Sequence, residues 1–169
     1  MIRDQKTLDL LLDCVSRFVR ERLVPNEKVV AETGDIPEEI VQEMRDLGLF
    51  GLTIPEEYGG LGLTMKEEVQ VIIELARASP AFRSLIGTNN GIGSQGIIID
   101  GTEAQKRYYL PKLASSELIA SFALTKPDSG SDAASLRTRA VRAGPLPGRD
   151  YPLSTGRGDG DHLRLSRDF

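Results

Sequence analysis

Residues 64–78, TMKEEVQVIIELARA, decide how the rest of the chain is read. Thr64 followed by Glu67 is a capping-box signature: the hydroxyl accepts the backbone N–H three residues on, and the carboxylate reaches back to the N–H of the cap. Behind it Met65, Val69, Ile72, Ile73 and Ala76 recur at 3–4 spacing on one face, with Val71 and Leu75 widening the stripe. The spacing predicts a helix running to about Ala78, and so broad an apolar band predicts burial between neighbours.

The same period extends towards the amino terminus. Leu8, Leu11, Leu12, Val15, Phe18 and Val19 share one face of a first helix, which Pro25 is expected to interrupt, and Gly34 closes the segment that follows. Pro37 suits the first turn of a further helix, where its missing N–H has no partner to lose. Ile40, Val41, Met44 and Leu47 form that helix's buried stripe, and Gly48 is its stop. Residues 51–63, with four Gly and a Pro, read as loop. Towards the carboxyl terminus, residues 81–99 are spotted with Gly and Asn and end in Ile97-Ile98-Ile99. Thr102 and Gln105 cap another helix, EAQKRYYLPKLA, in which Pro111 forces a bend or stop. Residues 118–124, LIASFAL, read as a short buried strand. The expected fold class is mainly α: an antiparallel helical bundle, then the start of a β region, then an irregular tail. The corresponding domains are residues 1–117, 118–142 and 143–169.

Composition removes several function classes. The chain has 169 residues, 40% hydrophobic and 27% charged, which suits one folded domain rather than a disordered chain. Aromatic residues make up 5% with no Trp, so a base-stacking platform is not expected. A net charge of −4 gives no electrostatic case for nucleic acid or an anionic membrane. One cysteine, Cys14, excludes an internal disulfide, and with one histidine, His162, it excludes a Cys/His zinc cage. The charged start, MIRDQKTLDLLLDC, is no signal peptide, and no 18-residue apolar run exists, so a cytoplasmic protein is the expectation.

Chemistry concentrates in residues 121–135, SFALTKPDSGSDAAS. The strand ends at Leu124, and Thr125, Pro127, Gly130 and Ser131 then make a tight polar turn. Gly130 lets backbone approach a ligand closely, Thr125 and Ser131 offer hydroxyls to carbonyl or phosphate oxygens, and Asp132 can cap a following turn. Turns of this kind are more often structural than functional.

Order and spacing of motifs carry a resemblance. Residues 47–52 (LGLFGL), 55–62 (PEEYGGLG), 101–106 (GTEAQK), 109–114 (YLPKLA), 123–125 (ALT) and 127–132 (PDSGSD) together resemble the amino-terminal part of an acyl-CoA dehydrogenase, the flavoprotein family that desaturates acyl-CoA thioesters. The resemblance covers about residues 1–142. It implies that Phe122–Ser131 lines FAD, with Phe122, Leu124, Thr125, Gly130 and Ser131 at the cofactor and Ser131 also at the acyl-CoA substrate. A ring that accepts hydride needs hydrogen-bond donors at its polar edge and apolar packing on its faces. Where the family usually has Glu after the Thr, this chain has Lys126, which reverses a charge beside the cofactor. The capped helix at 102–114 and the loop at 51–62 are scaffold in this reading. Further implications are α,β-dehydrogenation of an acyl-CoA, an electron-transfer flavoprotein as electron acceptor, and a homo-oligomer.

The family's β domain and the carboxy-terminal helical domain that bears its catalytic Glu have no counterpart after Arg142. No carboxylate here is assigned as the base, so the chain by itself is expected to be inactive and colourless. Residues 143–169 hold five Gly, three Pro, four Arg and four Asp without Lys, Ile, Val or Met. GC-rich DNA read in a wrong frame yields that composition, and a natural disordered tail is the alternative. A tail so rich in Arg, Gly and Asp produces Arg157-Gly158-Asp159 by chance, His162 lacks a Ser or Cys partner, and Cys14 reads as a packing residue. The rival function, from another class, is a non-catalytic helical module that binds a partner or an acyl-CoA.

Overall fold

Leu8, Val15 and Phe18 draw the first helix, α1 (Gln5–Phe18), onto the core, with Leu11 and Leu12 packed at its margin. The computed structural model describes residues 5–120. Pro25 does not interrupt the helix. Helical backbone continues through one widened π turn, Val19–Leu23, into α2 (Val24–Thr33). The Val24 N–H donates to the Val19 carbonyl, so the extra residue is absorbed directly before the proline. A proline lacks the N–H for a normal helical bond and its ring crowds the carbonyl four residues back; an opened turn relieves both problems. Gly34, at φ 78°, then ends α2 in the left-handed conformation.

α3 (Glu38–Asp46) buries Ile40, Val41 and Met44, as its spacing predicts, and Leu47 is half-buried beyond it. Pro37 takes the capping position, one residue ahead of the first turn, and its carbonyl accepts the Ile40 and Val41 N–H groups at 2.9 and 3.2 Å. Gly48 closes the element at φ 71°.

The following loop is core rather than surface. Leu49, Phe50, Leu52 and Ile54 are fully buried, within and between two single 3₁₀ turns, Leu49–Gly51 and Glu56–Tyr58. The loop closes on itself through Leu61 N–H to Gly51 O, Gly62 N–H to Ile54 O and Leu63 N–H to Leu52 O, at 2.8, 2.9 and 2.8 Å.

α4 (Met65–Leu75) starts with the full capping box of Thr64 and Glu67. Its buried face is not the one the periodicity favoured. Val71, Leu75 and, beyond the helix, Ala78 face the core, and Ile72 is half-buried; Met65, Val69 and Ile73 are 80%, 49% and 56% exposed and Ala76 is also exposed. Both faces are apolar, so the packing of α1 and α5 (Pro80–Thr88) against α4 chooses between them, and α4 is not sandwiched.

The Gly- and Asn-spotted residues 81–99 lie within helix throughout: α5, a π turn at Asn89–Gly93, and α6 (Ser94–Asp100). Ile97 and Ile98 are half-buried while Ile99 is 70% exposed. α7 (Glu103–Ala114) carries the Thr102–Gln105 capping box and passes Pro111 without stopping. Pro111 and Arg107, whose carbonyl a residue 111 N–H would have met, are both exposed residues. Residues 118–120 are irregular; the remainder of the expected strand and the tail 143–169 lie outside the described residues. Among the described residues there is no strand.

The described residues thus form a helical bundle with two hydrophobic clusters. The larger joins Phe18, Leu23, Ile40, Met44, Phe50, Leu75, Phe82 and Ile86, from α1 to α5. The smaller joins Ile54, Leu110, Leu113 and Ala114, with Tyr58, Ile97, Ile98 and Ala120 against it. No helix of the described residues is long and apolar enough to cross a membrane.

Candidate functional site

Phe82 and Ile86 are the buried positions of α5, and the same stripe continues into Asn89 and Asn90, which are 0% and 1% exposed. Successive residues on a helix differ in direction by about 100°, so two adjacent amides address two different neighbours. Asn90 serves the buried loop: its Oδ1 accepts the Leu52 N–H at 2.6 Å, and its Nδ2 donates to the Leu49 carbonyl at 2.6 Å and the Ile86 carbonyl at 3.2 Å. Backbone groups in a buried loop have no water to meet, and this one side chain satisfies two of them. The Thr53 and Ser94 hydroxyls donate to the Asn90 carbonyl, directly before the local departure from helical geometry at Gly91 (φ −98°, ψ −109°).

Asn89 faces the chain that follows α7. Its Nδ2 donates to the carbonyls of Leu113 and Leu118, both at 3.0 Å, and its Oδ1 accepts the Ala120 N–H at 2.7 Å. Arg45 of α3 donates from Nε to the hydroxyl of Ser116, a buried residue at φ 59°, and holds Glu38 at 2.6 Å with Nη1. Lys112 pairs with Glu117 at 2.9 Å and lies 4.7 Å from the centre of the Tyr108 ring. That hydrogen bond to Glu117 raises the Lys112 ammonium above its ordinary value. Residues 113–120 are thereby held by α3, by α7 itself and by the π turn after α5.

The residues the resemblance places at the cofactor, Phe122, Leu124, Thr125, Gly130 and Ser131, lie outside the described residues, as do Lys126, Arg157-Gly158-Asp159 and His162. Cys14 is half-buried and free, at the rim of a cleft of about 310 Å³ between α1 and α3. In that cleft Arg22 is paired with Glu43: Nε meets both Glu43 oxygens at 3.0 and 2.9 Å, Nη2 adds a contact at 2.6 Å, and the hydrogen bond raises the Arg22 guanidinium further. Among the described residues no group of three or more His, Cys, Asp and Glu is placed to hold a metal ion. Asn89 and Asn90 escaped the reading of the sequence, where they look like helix breakers. Their signal was there: two amides at the third and fourth positions after Ile86, on an otherwise apolar stripe.

Comparison with known proteins then decides the family. Residues 5–117 match the family described as acyl-CoA dehydrogenase, N-terminal domain. The chain belongs to the acyl-CoA dehydrogenase family. Over 138 residues it is 44% identical to (2S)-methylsuccinyl-CoA dehydrogenase of Cereibacter sphaeroides, covering 81% of this chain and 25% of that protein. The acyl-CoA dehydrogenase of Bacillus anthracis, solved in complex with FAD, superposes with a TM-score of 0.69 at 34% identity, over 80% of this chain and 23% of that one. A chain in the structure of the electron transferring flavoprotein of Acidaminococcus fermentans superposes with a TM-score of 0.71 at 25% identity, over 82% of this chain and 36% of that one. This acyl-CoA dehydrogenase chain therefore spans about a quarter to a third of the length of the relatives it matches. Its described helices are the family's amino-terminal helical domain, and FAD is the cofactor of the family.

Proposed function

We propose that residues 1–117 are the helical scaffold, and residues 118–142 the first part of the flavin-lining domain, of an FAD-dependent enzyme that carries out α,β-dehydrogenation of acyl-CoA thioesters. The observation that carries this reading is the family match across residues 5–117, followed a few residues on in the sequence by the motif residues Ala123–Thr125 and Pro127–Asp132. Bound flavin supplies the hydride acceptor. The chain's own residues supply surroundings for it. Phe122 and Leu124 offer apolar surface, Thr125 and Ser131 offer hydroxyl donors, and Gly130 admits close backbone approach. That donor set fits an isoalloxazine, which is apolar on its faces and polar along one edge. Lys126 places a cation where relatives commonly carry an anion, and weaker cofactor binding follows from it. Acyl-CoA as substrate, an electron-transfer flavoprotein as acceptor and assembly into a homo-oligomer complete the proposal.

A region swap tests it. The 138 matched residues of the Cereibacter sphaeroides enzyme are replaced by the corresponding residues of this chain. A yellow product that oxidises (2S)-methylsuccinyl-CoA supports the reading. A folded but colourless swap, together with calorimetric binding of acyl-CoA by the 169-residue chain alone, replaces it with the non-catalytic helical module.

A further inference from the structure

We propose that Asn89 is a positioning residue for the cofactor segment. Its buried amide fixes the path of residues 113–120 and so sets where the chain begins Ser121–Ser131. The inference rests on the reading above for the identity of that segment, and on the described residues for the geometry.

Four observations carry it. Asn89 is fully buried, and an amide is retained in an apolar interior only where its donors and acceptor are used. All three of its side-chain bonds go to the backbone of one stretch, at Leu113, Leu118 and Ala120, from 24 to 31 residues away in sequence. None goes to its own helix, so the side chain does nothing for α5 that a leucine would not do better. The bond to Ala120 falls on the last described residue before the cofactor segment, one peptide from Ser121. Finally, Gly93, on the same π turn, has no room for a side chain: a Cβ there would collide with the Ala120 Cβ and the Thr88 carbonyl oxygen. The π turn therefore grips Ala120 by a hydrogen bond on one side and by close packing on the other.

The neighbouring amide supplies the internal comparison. Asn90 is equally buried but bonds the loop at Leu49 and Leu52, whose Gly51 packs on Ala114, and makes no bond to Leu118 or Ala120. A purely structural role would make the two interchangeable in their consequences. A positioning role makes them differ.

Amide hydrogen exchange on the 169-residue chain distinguishes the two. In Asn89→Leu, the amides of Leu118 and Ala120 are expected to exchange at least ten-fold faster than in the native chain, while α1 to α4 keep their native rates. Gly93→Ala gives the same local signature from the packing side. Asn90→Ala loosens residues 49–54 instead. Should Asn89→Leu fail to fold, Asn89→Asp keeps the acceptor for Ala120 and loses the donors to Leu113 and Leu118, so acceleration is then larger at Leu118. Unchanged protection at Leu118 and Ala120, or uniform acceleration along the chain, overturns the proposal. The second readout is FAD affinity in the region swap, expected to fall at least ten-fold in Asn89→Leu relative to the unmutated swap, and less than three-fold in Asn90→Ala. An unmutated swap that binds no FAD defeats the functional reading alone, and the exchange result still decides whether Asn89 sets the path. An Asn89→Leu swap that binds FAD within two-fold of its parent defeats the positioning role alone.

Discussion

Gly59 lies at φ 83° with open space where a Cβ would stand, whereas a Cβ on its neighbour Gly60 would collide with the Ile54 carbonyl oxygen. The first glycine answers a backbone angle and the second a close approach. Gly59→Ala is expected to lose about 1–2 kcal/mol, the usual penalty of a left-handed alanine. Gly60→Ala must displace the backbone of a fully buried loop and is expected to lose more, about 3 kcal/mol or above. Urea denaturation of both variants checks the order; equal losses would mean that the loop yields more easily than its packing indicates. Asn90→Ala removes the side-chain acceptor of the buried Leu52 N–H and is expected to lose about 2–3 kcal/mol in the same experiment. Asn26→Ala, which gives up a single half-buried bond to the Arg22 carbonyl, should stay under about 1 kcal/mol.

Among the elements, α4 separates two kinds of control. Its start is local chemistry. The Thr64 hydroxyl and N–H both hydrogen-bond the Glu67 carboxylate, at 2.7 Å each, which holds its pKa below the ordinary glutamate value. A carboxyl lowered in the folded state contributes stability above its unfolded pKa, about 4.3, and that contribution is lost as pH falls through the lower folded value. Glu67→Gln keeps an acceptor for the cap, as Gln105 does in α7. It is expected to lose less melting temperature than the native chain between pH 5 and pH 3; parallel acid profiles for the two would show that the box carries no proton linkage. The buried face of α4, by contrast, is set by its neighbours. Leu75→Ala is expected to lose about 2–5 kcal/mol, while Ile73→Ala, at 56% exposure, should fall within about 0.5 kcal/mol of the native chain. Reversed magnitudes would restore the face that periodicity favoured.

On the scale of the whole molecule, one described unit of helices leads into residues proposed to meet a flavin. An isoalloxazine needs to be enclosed on its faces as well as bonded at its edge. The 169-residue chain assayed alone is therefore expected to purify without visible flavin absorbance and to reduce no electron acceptor with any acyl-CoA; turnover by the isolated chain would refute this. Much of the fold was legible in the chain itself, because capping and helix termination are decided within a few residues. Thr64 with Glu67, Thr102 with Gln105, and Gly34 and Gly48 after their helices all act at short range. The family was legible too, since its motifs follow one another in order along the sequence. Tertiary structure decided what depends on distant neighbours. Pro25 is passed by widening the turn before it, and Pro111 is passed on an exposed part of α7. α4 turns Val71 and Leu75 inward because α1 and α5 lie there. Asn89 and Asn90 sit inside a helical run because the backbone groups that satisfy them come from residues 49–52 and 113–120. A local pattern specifies which bonds a residue is able to make, and only the folded chain supplies the partner.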